Sequence, residues 1–211
     1  MEVRGRGCMS FRYFVYISDA KVEMLLQQIK PEALRKRTSE VGLGLKFLTA
    51  KRGAETLAGA ERTARLDQVV RYLNDYGDLG TVEEPGQFFG GLMPLRWGPT
   101  VGADGFPMVY FGGRAGKTVL GLGGSRAHVF GTPPGPEPQP LPIGRSMLPS
   151  LLDGITRVDG IEAPAAVRET TDALRGPEQT MEFVAKRLLD EPGPDGERVL
   201  LGSPLYVALV D

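Results

Sequence analysis

Between residues 86 and 131 the chain carries 13 glycines, more than one residue in four. A glycine inside a helix costs about 1 kcal/mol relative to alanine. A stretch this rich in glycine is therefore excluded as mainly helical and must be built from strands and turns. Its apolar runs predict strands at Met108 to Phe111, Thr118 to Leu122 and Ala127 to Phe130. Within it, Gly112-Gly113-Arg114-Ala115-Gly116-Lys117-Thr118 has the outline of a phosphate-binding loop. That motif needs a glycine where Phe111 stands, and a helix after the threonine, so that backbone N–H groups meet the phosphates. Val119-Leu120-Gly121-Leu122-Gly123 follows instead and is strand-like. The run is read as a hairpin turn.

The segments on either side supply the rest of the fold. Phe11 to Ile17 is aromatic and β-branched, as in a strand buried on both faces. Ser18-Asp19 then offers a helix cap, and Val22, Leu25, Leu26 and Ile29 recur at helical spacing on one face. Val41, Leu43, Leu45 and Phe47 alternate as in a half-buried strand. Leu66, Val69, Val70 and Leu73 predict a second helix, stopped by Gly77. Seven prolines in 132–149 predict an extended surface loop. Helices are expected at Ser146 to Ile155, Ala165 to Leu174 and Pro177 to Leu189, the last with Met181, Val184, Ala185 and Leu188 on one face. Leu205 to Val210 reads as a closing buried strand. The expected architecture is α/β (α+β): a single mixed-sheet domain over 11–211, preceded by a loose leader at 1–10. The N-terminal and C-terminal strands should be central and adjacent, packed by helices and joined by a glycine-rich hairpin region.

Composition narrows the function classes. The hydrophobic fraction of 41% and charged fraction of 24% are those of an ordinary globular chain. Cys8 is the one cysteine, so no intrachain disulfide forms, and a cytoplasmic setting is expected. With His128 as the one histidine, the usual Cys/His zinc sets are excluded within one chain. Neither a metal nor a cofactor is expected, although a carboxylate-only Mg²⁺ or Ca²⁺ site stays open. No apolar run approaches the ~20 residues of a membrane-spanning helix. Residues 1–65 hold 13 Lys/Arg against 7 Asp/Glu, net +6, and the remainder 12 against 19, net −7. A basic first third suits a nucleic acid or acidic partner; the plainer reading is a solvated helix end around Arg35-Lys36-Arg37.

Two places carry polar residues where chemistry is affordable. Ser18, Asp19 and Lys21 stand where a buried strand becomes a helix, a usual position for ligands in α/β folds. Capping by Ser18 or Asp19, with Lys21 in solvent, is the structural reading of the same residues. Ser125, Arg126 and His128 follow Gly121, Gly123 and Gly124. Gly123-Gly124-Ser125-Arg126-Ala127 has the outline of a nucleophile elbow with alanine at its last position. On a continuous strand the odd offset would point Ser125 and His128 to opposite faces; a sharp turn would let them meet. The glycines alternatively serve close packing, with His128 bound to a local carbonyl.

Three runs resemble an uncharacterised bacterial family: Tyr13-Phe14-Val15-Tyr16-Ile17-Ser18-Asp19-Ala20-Lys21-Val22-Glu23-Met24-Leu25, Leu122-Gly123-Gly124-Ser125-Arg126-Ala127-His128-Val129, and Gly202-Ser203-Pro204-Leu205-Tyr206-Val207. The resemblance implies that the three runs define one domain together and brings no catalytic residue with it.

The sequence thus leads to a non-enzymatic bacterial domain, cytosolic, that senses a ligand or meets a protein partner. Its candidate ligand site joins Ser18, Asp19 and Lys21 to Ser125, Arg126 and His128. A small-molecule hydrolase or transferase using Ser125 and His128 is the alternative. Nucleic-acid binding through the basic first third is the weaker one.

Overall fold

The computed structural model describes residues 12–29, 54–102, 105–131 and 162–210. The expected strand at Val41 to Phe47, the proline-rich loop and the helix at Ser146 to Ile155 lie outside these residues. In chain order the elements are β1 (Arg12–Ile17), α1 (Asp19–Leu26), α2 (Ala54–Tyr76), β2 (Leu79–Gly80), β3 (Phe88–Val101), β4 (Pro107–Ala115), β5 (Thr118–Ser125), a short 3-10 turn (Arg126–His128), α3 (Ala163–Ala173), β6 (Gln179–Pro192) and β7 (Arg198–Val210). The fold is mixed α/β, with a seven-stranded sheet that closes on itself. β3, β4 and β5 form an antiparallel meander, and β5 runs parallel to β7. β7 pairs with β6, and β6 returns to β3, completing a five-stranded ring.

β7 organises that ring. β6 follows one of its edges from Arg198 to Leu209. The opposite edge is shared: β5 takes Arg198 to Gly202, and β1 takes Tyr206 to Val210. β1 and β5 therefore approach each other end to end along the same edge and leave a gap opposite Ser203, Pro204 and Leu205. Proline suits this position, because it has no N–H to give to a missing neighbour.

Alternation explains the ring's interior. Phe89, Met93, Leu95, Phe111, Leu120, Leu122, Phe183 and Val207 are sealed inside it. α1 and α2 cover the outside of β1, β7 and β6 through Val22, Leu66, Val69 and Leu73 against Ile17, Val184 and Tyr206. α3 covers β4, β5 and β7 through Ala166 and Val167 against Met108, Tyr110, Val119 and Leu201. Glycines make that contact possible: a Cβ on Gly121 would run into the Tyr110 hydroxyl, and one on Gly112 would meet Thr171 Oγ1 at 2.9 Å. Among the described residues no helix is long and apolar enough to cross a membrane.

Three elements differ from the sequence reading. Residues 179–192 form a strand, not the expected helix over Pro177 to Leu189. Met181, Val184, Ala185 and Leu188 fit helical spacing, but Met181, Phe183 and Ala185 alternate into the ring while Val184 joins the outer layer. With both faces covered, period two and period 3.6 bury overlapping residue sets, and pairing with β3 and β7 decides. Ala127 to Phe130 makes a 3-10 turn and a single bridge, Tyr16 to Val129, where a strand was expected. β1 does lie beside β7, but it stands last in the sheet order. Val15 to Ile17 are enclosed, whereas Tyr13 is 73% exposed, because β7 and the 129–130 segment enclose only one end of the strand. The Gly112 to Thr118 run is indeed a hairpin: Ala115 pairs with Thr118 around Gly116, whose φ is 57°.

Two glycines test this packing in opposite directions. A Cβ on Gly113 would strike the Pro94 carbonyl and Leu95 Cδ2, whereas one on Gly59, inside α2, meets nothing within 4 Å. Gly113→Ala should destabilise by about 1–3 kcal/mol, and Gly59→Ala should stabilise by about 0.5–1 kcal/mol. Urea unfolding midpoints check both, and the reverse ordering would contradict the ring geometry.

Candidate functional site

The gap on β7 is closed by three different devices, one per residue. Ser203 donates its hydroxyl to the Gly123 carbonyl at 3.3 Å. The Pro204 carbonyl accepts from Lys21 Nζ at 2.9 Å. The Leu205 carbonyl accepts from the Ser18 backbone N–H at 2.8 Å. Each follows from the need to pair buried backbone groups where the ladder is interrupted. Lys21 reaches the gap because α1 starts directly after β1, which puts its first turn over the end of the strand.

That position changes Lys21. Its side chain is half-buried, and removal from water pushes its ammonium down to about 7; the like charge of Lys186, on β6 opposite Ser203, adds to the shift. The ammonium loses hydration in such a place and regains little of it from one carbonyl. Among the described residues no carboxylate forms an ion pair with Lys21 or Lys186. The reading of Lys21 as a solvated charge is thereby corrected.

Asp19, two residues earlier, is held differently. Arg62 of α2 donates Nε to Asp19 Oδ1 at 2.6 Å and Nη2 to the Ile17 carbonyl at 2.8 Å. Its guanidinium also lies over the Phe130 ring, 4.3 Å from the centroid. His128 Nδ1 is 3.7 Å from Asp19 Oδ2, and its ring meets Tyr16 edge-on at 5.9 Å. Burial alone would raise the Asp19 carboxyl, but the adjacent His128 and the hydrogen bond and charge of Arg62 hold it below its ordinary value.

The structure thus brings the Ser18-to-Lys21 turn and the Ser125-to-His128 segment to one place. It does not join Ser125 to His128. The Ser125 hydroxyl accepts from the Ala127 N–H at 3.3 Å, capping the 3-10 turn, and no hydrogen bond links the two side chains among the described residues. His128 faces a carboxylate and not a local carbonyl. Arg126 is exposed, and its side chain has no hydrogen bond or ion pair among the described residues. Ser18 is buried and caps α1 without a side-chain hydrogen bond. Inside the ring, the Tyr16 hydroxyl is sealed and has no partner among the described residues. It lies where a Cβ on Gly124 would stand, so Gly124 is the glycine that admits it. On the outer side, α1 and α2 form an open groove of about 580 Å³, lined by Asp19, Glu23, Glu61, Arg62 and Arg65. Arg65 pairs there with Glu23 and Glu61. No three His, Cys, Asp or Glu residues converge to hold a metal ion among the described residues.

Sequence reasoning missed Arg62, Pro204 and Lys186. Arg62 and Lys186 occupy ordinary polar positions of their elements, and no local pattern marks them. Pro204 carried a signal, since a proline beside a central strand announces an interrupted ladder.

A model of the Family of unknown function (DUF7019) matches residues 12–211, which include every residue of this site. The chain belongs to that family. No curated protein and no solved structure matches the chain. The match to the DUF7019 model spans both ends of the shared β7 edge, from β1 to β7.

The ion pairs of Asp19 predict an acid-sensitive joint. Its carboxyl titrates lower in the folded chain than in the unfolded one. The stability it contributes is therefore present above the unfolded value of about 3.9 and lost as pH falls through the folded value. Asp19→Asn should lower the urea midpoint more at pH 6 than at pH 3. An equal effect at both pH values would contradict this role.

Proposed function

We propose that the chain is a non-enzymatic, ligand-binding domain that holds a small polar molecule where β1 and β5 end against β7. The observation that carries the reading is the Pro204 carbonyl, which no strand reaches and which a single half-buried amine, Lys21, satisfies. A bound molecule with oxygen acceptors would give that amine what the protein does not, an acceptor with negative charge. Arg62, fixed on Asp19, Ile17 and Phe130, ties α2 to the same spot, so occupancy there would be felt by both helices. Because the chain has a single cysteine and so cannot form an intrachain disulfide, we place the domain in the bacterial cytosol.

The competing readings have less support. Hydrolysis through Ser125 needs its hydroxyl free and a base beside it, whereas Ser125 is engaged as a cap. For nucleic acid, the relevant comparison is the five-stranded ring itself. Its strand order, with a helix between the third and fourth strands, is that of the OB barrel, whose second and third strands face oligonucleotides. Here those strands are β4 and β5, and α3 covers their outer face. A protein partner would need a broad apolar surface; Leu92 and Val101 are exposed on β3, and Phe130, the exposed apolar side chain at this corner, lies against the Arg62 guanidinium.

Backbone NMR of the full chain tests the reading. Small polar metabolites added singly should shift the amides of Ser18 to Lys21 and Ser125 to His128 in a saturable way. A ligand at 100 times its Kd should add about 2.7 kcal/mol of stability. Shifts confined to other surfaces, or none across carboxylates, phosphates and carbonyl compounds, would overturn it.

A further inference from the structure

We draw no further inference here: the strongest candidate, the open cleft of about 380 Å³ between the C-terminal part of α2 and strands β3, β6 and β7, has its carboxylate, Glu182, already engaged by Arg12 and Tyr206, and nothing in the structure shows what would fill it.

Discussion

The structure depends on how the edge of β7 is satisfied. A strand in the middle of a closed sheet must pair both edges along its length, since a buried carbonyl or N–H without a partner costs about 1–3 kcal/mol. β7 is longer than β5 can follow, and β1 completes the edge from the opposite direction. The three residues between them are the weak place in the sheet. Ser203, Pro204 and Leu205 are each tied by a different group, and only one of these ties, from the Ser18 N–H, continues the backbone ladder. The lysine that fills the middle of the gap is half-buried there and gives up part of its water.

This arrangement links the N-terminal part of the chain to the ring. α1 follows from the end of β1, α2 is held to it through Arg62 and Arg65, and the 3-10 turn after β5 reaches the same corner through His128 and Phe130. Polar contacts converge there because two chain segments leave the sheet at one point, and each departing segment exposes backbone that must be paired. Function and folding thus make competing use of the same groups. Ser125 is consumed by its cap, Asp19 by Arg62 and Lys21 by the Pro204 carbonyl.

Much of this was legible in the sequence, and the omissions have physical causes. The glycine-rich centre announced strands, and the hairpin at Gly116 followed from the failure of the phosphate-loop pattern. The strand–cap–helix unit at its start could be read because Val22 and Ile29 face a real core. β6 was misread because Val184 packs outward while Met181 and Ala185 pack inward, so a doubly covered strand presents the same apolar positions as a helix face. The juxtaposition of the Ser18 and Ser125 segments was suggested by glycines. The actual reason is that Gly121 and Gly124 admit the hydroxyls of Tyr110 and Tyr16. The partnerships of Lys21 with Pro204 and of Asp19 with Arg62 span 183 and 43 residues; no local pattern encodes such distances.

The central claim is that the interrupted edge of β7 draws the Lys21 amine partly out of water and lowers its titration to about 7. Titration of the lysine side chains by NMR, using chain labelled with ¹³C at the lysine ε-carbon and Lys21→Arg for assignment, measures this directly. The account predicts a Lys21 midpoint near 7, well below the roughly 10.4 of a solvated lysine amine. A Lys21 midpoint at or above 10 would contradict it, because the amine would then be an ordinary solvated charge and the gap no special place.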